Sequence, residues 1–266
     1  VLYSRGLSHA VNTGDASMGF AVSSSLGPAL FGEMSSGSLH FIERFGWWGH
    51  IVMVFAFLNY LPYSKHLHII LGFPNTYFSN LQKKGKFSTL DSVTDVVAPN
   101  FDPQYIAKTD LNAPQRFGAK DVQDLSWKNL LDAYTCTECG RCTSACPQNQ
   151  TGKKLSPRKI MMDTRDRLEE VGRNIDANNG AFVDDGKSLF DRISNEEIWA
   201  CNTCNACVQE CPVNIDPLAI IVEMRRFLVM EQSQSPSELN NMFSNMENNG
   251  APWQFAQADR ANWLKE

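Results

Sequence analysis

The sequence predicts a mainly α-helical protein, and three observations predict it. The run FGWWGHIVMVFAFLNYL at 45–61 is apolar without the alternation of a strand. Two later stretches, SPRKIMMDTRDRLEEVGR and DPLAIIVEMRRFLVMEQ, carry apolar residues at helical spacing. No run of alternating strand-like residues lies between 127 and 232.

The apolar run continues as PYSKHLHIILGF to residue 73. Its uninterrupted core is about 15 residues, short of the roughly 20 that cross a bilayer. The flanks decide the reading. Trp47 and Trp48 stand at one end and Tyr60 and Tyr63 near the other, as in an aromatic belt. A transmembrane helix is expected over 45–73. Residues 1–44, rich in Gly and Ser, are expected to be loop or short amphipathic pieces, with SLHFIERFG as the approach to the helix. Lys65, Lys83, Lys84 and Lys86 follow the run, whereas only Arg5 and Arg44 precede it. The positive-inside bias therefore places the C-terminal side in the cytoplasm, beneath the cell (inner) membrane. These lysines read as anchors at the lipid surface.

Residues 74–125 contain several Pro and Asn and little helical period, so an extended connector is expected. Ser126 is a plausible N-cap for a helix from Trp127. In the 126–232 domain, Ser156 and Pro157 suit the start of the first long helix, whose apolar side is Ile160, Met161, Leu168 and Val171. Residues 233–266 read as a linker toward a further domain. The chain starts at Val1 and stops at Glu266 without a terminating element, so it reads as a piece of a longer protein.

Composition excludes some classes. The net charge is −5 over 266 residues and no basic stripe carries interleaved aromatics, so nucleic acid is not an expected partner. No acid–base pair, nucleophile elbow or phosphate-binding glycine loop stands out. No catalytic residue is therefore assigned.

All eight cysteines lie between 136 and 211, in two groups. The first is Cys136, Cys139, Cys142 and Cys146 before Pro147; the second is Cys201, Cys204, Cys207 and Cys211 before Pro212. A disulfide framework belongs to small secreted chains and does not need one spacing twice. Zinc pairs two C-x2-C hairpins, or uses Cys with His, and does not need a third cysteine at the next step. C-x2-C-x2-C-x3-C-P is instead the run that holds [4Fe–4S] clusters, with the fourth cysteine ligating the other cluster. Two clusters are thus expected. One takes Cys136, Cys139, Cys142 and Cys211; the other takes Cys201, Cys204, Cys207 and Cys146. Pro147 and Pro212 redirect the chain after the fourth ligand. Small residues at Gly140 and Ala206 let backbone lie against inorganic sulfide. Arg225 and Arg226 are candidates for neutralising cluster charge, and Lys153, Lys154 and Arg158 for docking a partner, with surface roles as the alternative for both sets.

The texts CTECGRCTSACPQNQTGKKLSPRKI, IWACNTCNACVQECPVNIDP and IVEMRRFLVMEQ resemble the iron–sulfur subunits of heterodisulfide reductase and of anaerobic glycerol-phosphate dehydrogenase. They are also similar to the helical ferredoxin domain of succinate dehydrogenase. The resemblance covers about 127–232 and implies an α-helical ferredoxin domain with two [4Fe–4S] clusters. The membrane part resembles the cytochrome b (gamma) subunit of respiratory nitrate reductase through Pro62-Tyr63-Ser64-Lys65-His66-Leu67-His68. That resemblance implies haem b with His50 and His68 as axial ligands. On one unbroken helix their 68 − 50 = 18 residues put both imidazoles on one face, roughly 27 Å apart. Structural or interfacial roles remain open for the pair. His66 reads as an interface residue, His40 as surface, and His9 carries no signal.

Together these resemblances imply a quinone-linked membrane oxidoreductase, with membrane lipid and the quinone pool as partners. They imply upstream membrane helices and a downstream cysteine-rich domain or separate catalytic subunit. The alternative is a haem-free, membrane-tethered carrier serving a separate catalytic subunit.

Overall fold

The computed structural model describes residues 29–64, 66–83, 85–110 and 116–265. Arg5 and His9, the rest of the Gly- and Ser-rich start up to residue 28, and Lys65 and Lys84 lie outside the described residues. Among the described residues there is no β-strand. The chain divides into two compact units, Val1–Leu67 and His68–Glu266.

The first unit is built on helix α1, Ser36–Tyr60. Ser35 caps it, its hydroxyl accepting the Ser38 N–H at 3.3 Å. The cap starts the helix two residues ahead of SLHFIERFG, so the approach to the apolar run is already helical. A 3-10 turn, Leu61–Tyr63, follows. The stretch Ser36–Tyr63 is long and apolar enough, by length and composition, to cross a membrane. Most of its apolar side chains are bare, Val52, Met53 and Phe55 being 61%, 70% and 60% exposed, while Leu39 and Leu61 are buried.

The single helix expected over 45–73 is two. Pro62 brings no backbone N–H and ends the α-helical ladder; Ser64 is extended at φ −114°, ψ 162°. Helix α2, Leu67–Tyr77, is a new start. His50 therefore lies on α1 and His68 on α2, and the five-turn phase relation between them does not hold.

The second unit begins with α2. Residues 78–125 are not wholly extended. They contain helix α3, Asp91–Val97, and a knot around Asp95. The fully buried Asp95 carboxylate accepts Tyr105 Oη at 2.7 Å, Lys108 N at 3.0 Å, Thr109 N at 2.7 Å and Thr109 Oγ1 at 2.5 Å. These donors, Thr109 foremost, hold its pKa well below the ordinary carboxylate range.

The cysteine-bearing part packs around helices α4 (Trp127–Thr135), α7 (Pro157–Ala177) and α10 (Pro217–Arg226). Between α4 and α7 lie two single turns, α5 (Arg141–Ser144) and α6 (Pro147–Gln150); between α7 and α10 lie α8 (Asn195–Ala200) and α9 (Ala206–Gln209). Ser126 caps α4, Ser156 caps α7 ahead of Pro157, and Asp216 caps α10. Ile160, Met161 and Val171 of α7 meet Ile198, Ile220, Ile221 and Met224 in the core. The 233–266 segment is not only a linker: it forms helix α11, Ser237–Asn249, closed by Gly250 at φ +62°.

The same buried face of α7 holds an arginine. Arg167 is 0% exposed and grips Asp121 through Nε (3.1 Å) and Nη2 (2.7 Å), and Asp185 through Nη1 (2.6 Å) and Nη2 (2.9 Å). It also donates to Lys187 O at 3.0 Å. One guanidinium thus ties the entry to α4 to the loop ahead of the second cysteine group. Its hydrogen bonds lower Asp185 to about 2. Because that pKa is depressed, the stabilisation is full above the ordinary carboxylate range and is lost as pH falls toward about 2. Nearby, Gly118 (φ +78°) lies so close to α10 that an added Cβ would stand 2.3 Å from Glu223 O.

Arg167→Ala leaves two carboxylates without their buried partner and should lower the unfolding free energy by about 3–5 kcal/mol in denaturant titration. Gly118→Ala should cost about 2 kcal/mol or more, from overpacking and a left-handed φ. Equal midpoints for variants and parent would refute both assignments.

Candidate metal centre

Each cysteine group begins where a helix ends. Cys136 is the C-cap of α4, its N–H bonded to Asp132 O at 3.1 Å, and Cys201 is the C-cap of α8. The chain then turns twice through left-handed backbone at matched positions: Glu138 (φ 60°) and Gly140 (φ 81°) in the first group, Thr203 (φ 55°) and Asn205 (φ 60°) in the second. Left-handed backbone is costly for a β-branched residue such as Thr203. What it achieves is visible: Thr203 N–H points at Cys201 Sγ, 3.4 Å away. Cys136 Sγ accepts the Glu138 N–H in the same way.

Gly140 and Asn205 then serve as N-caps of α5 and α9, which carry Cys142 and Cys207. At the matched position of the two motifs, glycine in the first group is answered by Asn205 in the second. An added Cβ on Gly140 would find only Arg158 Nη1, at an ordinary 3.8 Å, so conformation rather than space selects glycine there.

The fourth cysteines part company. Cys146 is the N-cap of α6 with Pro147 at its first position. Cys211 leads instead into a turn closed by Asn214 N–H to Cys211 O at 3.3 Å, and Asn214 is left-handed at φ 56°. Helix α10 starts only at Pro217.

The eight thiols surround two cavities. Cys136, Cys139, Cys142 and Cys211 line the first, with Met161, Val213 and Ile215 among its apolar walls. Cys146, Cys201 and Cys204 line the second, with Leu155, Leu218 and Ile221. Cys207 lines both, so the cavities are neighbours. The electrostatic neighbours agree: Cys136 senses Cys142 and Cys211, and Cys201 senses Cys146 and Cys204. Among the described residues no three His, Cys, Asp or Glu side chains converge as a single metal ion requires. The thiols border a volume instead.

Burial favours the protonated form of four of them, Cys136, Cys142, Cys201 and Cys207. It pushes Cys136 up to about 11 and Cys207 up to about 12, and raises Cys142 and Cys201. Sulfur donors in apolar pockets, with N–H groups aimed at them, fit a thiolate-bound iron–sulfur cluster, and ligation there must release protons.

Residues 135–215 match the family model described as a 4Fe-4S dicluster domain. The chain carries a 4Fe-4S dicluster domain. Over 249 residues it is 31% identical to FadF of Bacillus subtilis, named as an iron-sulfur-binding oxidoreductase, covering 83% of this chain and 33% of that protein. Over 263 residues it is 31% identical to the EtfAB:quinone oxidoreductase of Syntrophomonas wolfei, covering 90% and 33%. Over 173 residues it is 31% identical to a protein of Chromohalobacter salexigens named as a membrane-anchored ferredoxin, covering 59% and 25%. C subunits of Methanosarcina heterodisulfide reductases match shorter stretches. The chain spans about a third of the length of the first two relatives.

Within the dicluster domain, two arginines missed as site residues or left undecided hold the cysteine loops. Arg165 pairs with Glu138 at 2.8 Å. Arg225 donates to Ile198 O (2.7 Å) and Cys201 O (2.6 Å), with its guanidinium 5.0 Å from the Trp199 ring. Arg226 turns away to Glu223 and Ser88. Lys154 pairs with Glu196 at 2.7 Å. A cation at spacing 225 could not be assigned from sequence, because its carbonyl partners leave no residue signature.

Arg225→Ala removes a charge-assisted fork on two carbonyls and the stacking contact. It should cost about 2–3 kcal/mol and raise amide exchange across 198–204. Arg225→Lys should not restore protection, since an ammonium lacks the planar fork. Full rescue by lysine would show that charge alone matters.

Proposed function

We propose that this chain passes electrons through two [4Fe–4S] clusters between a membrane quinone pool and a redox partner on the cytoplasmic side. The first cluster takes Cys136, Cys139, Cys142 and Cys211; the second takes Cys201, Cys204, Cys207 and Cys146. The observation that carries the reading is the crossing: each thiol-lined cavity is completed by a cysteine from the other motif. When bound, each cluster supplies one-electron chemistry. The chain's own part is to hold the thiols, dry the pockets and aim N–H groups and guanidinium charge at them.

Quinone linkage draws support from the Syntrophomonas relative, whose name states a quinone reaction. A place in the inner membrane draws support from the bare apolar stretch Ser36–Tyr63 and from the membrane-anchored ferredoxin relative. The same relative favours the second reading, a haem-free tethered carrier. The break at Pro62 favours it too, because His50 and His68 no longer share one helix face. In either reading a catalytic partner or domain completes the enzyme.

Exchanging fourth ligands gives a decisive test on anaerobically purified full-length protein. Cys146→Ala should lose about half the iron and the electron-spin signal that Cys201→Ala also removes, while Cys211→Ala should match Cys136→Ala. Pairing of Cys146 with Cys136 instead would refute the crossing. A reduced b-type band lost in His68→Ala would decide for haem; a bandless, quinol-reducible protein would decide for the tethered carrier.

A further inference from the structure

The two cysteine groups share one plan. Glu138 and Thr203 present N–H groups to Cys136 and Cys201 at matched positions. Cys139 and Cys204 are both exposed. After each group a helix begins on proline, α7 on Pro157 behind Ser156 and α10 on Pro217 behind Asp216. At the same step along each helix, counted from that proline, an arginine acts on a ligand thiol: Arg165 on Cys136 and Arg225 on Cys201.

What differs between the halves is charge. Arg141, beside Cys142, lines the first cavity, and so does Arg158, the residue after Pro157. Their counterparts in the second half are the neutral Ala206 and Leu218. Among the described residues no charged side chain lines the second cavity. A Cβ on Gly140 would stand 3.8 Å from Arg158 Nη1, so that guanidinium lies over the first cysteine loop. The caps differ in the same sense: Ser156 is neutral, whereas Asp216 is a carboxylate whose field reaches Cys207. One difference runs the other way. Arg165 is paired with Glu138 at 2.8 Å, where the second half has Thr203, while Arg225 is held by carbonyls and Trp199. Among the described residues the first site thus keeps two guanidiniums outside any ion pair, and the second has Arg225 set against Asp216.

We propose that Arg141 and Arg158 make the site of Cys136, Cys139, Cys142 and Cys211 the higher-potential of the two, so that the first electron taken up by the dicluster domain settles there. This rests on reading the thiols as ligands of two [4Fe–4S] clusters. The electron comes from a one-electron reductant, which is oxidised as the site is reduced; no bond forms or breaks. The added electron makes the site more negative by one charge, and a nearby cation stabilises that state. Both guanidiniums are exposed, so dissolved salt screens them.

The test titrates anaerobically purified full-length protein with dithionite and redox mediators, followed by electron-spin resonance. Cys139→Ser and Cys204→Ser mark which signal belongs to which site. In the parent the first site should be reduced before the second. Arg141→Gln and Arg158→Gln should each lower the first site's midpoint potential, cutting its ratio of reduced to oxidised form severalfold at a fixed potential, and leave the second site's midpoint in place. The double variant should lower it further, and added salt should narrow the gap between the double variant and the parent. A second site reduced first, equal shifts at both sites, or no shift in the double variant overturns the proposal while two distinct signals leave the two-cluster reading standing. A protein lacking either signal overturns that reading and the proposal with it.

Discussion

Each thiol-lined cavity is closed by a cysteine that the other motif supplies, and the rest of the second unit is arranged around that exchange. Cys211 must reach back to Cys136, and Cys146 must reach forward to Cys201, across long loops whose closure costs entropy. The core helices meet that cost by burying Ile160, Met161, Ile220, Ile221 and Met224 between the two groups. Arg167 adds a clamp, joining Asp121 ahead of the first group to Asp185 ahead of the second. A buried guanidinium is expensive unless its hydrogen bonds are filled, and here two carboxylates and a carbonyl fill them.

Electrostatics at the cavities is a balance between burial and compensation. Burial alone raises the thiols of Cys136 and Cys207 far above neutrality, which favours the protonated, metal-free form. The N–H of Thr203, aimed at Cys201 Sγ, works in the opposite direction, as does the positive charge of Arg225 beside the same loop. The strained left-handed backbone at Glu138, Thr203 and Asn205 is the local cost of aiming those groups.

The break at Pro62 changes how the membrane-compatible stretch relates to the dicluster domain. Helix α2 looks in sequence like the tail of an apolar run, yet its inner face is fixed by polar bonds from Asn75 to Val213 O and Lys128. Phe78, just past its end, packs edge-on against Trp127 at 5.2 Å. A segment that hydropathy assigns to lipid thus belongs by contact to the iron–sulfur part.

The sequence by itself determined the helical class, the caps at Ser126 and Ser156, the α7 apolar face and the two cysteine quartets, because cap chemistry, helical period and ligand spacing are local properties. Tertiary structure alone decided that Arg167 sits in the core, that Asn75 reaches Val213, and that the apolar run is two helices. Those outcomes depend on partners distant along the chain: a carbonyl or a carboxylate brought close by folding leaves no spacing to read, and a buried polar side chain looks like a surface one until its partner arrives.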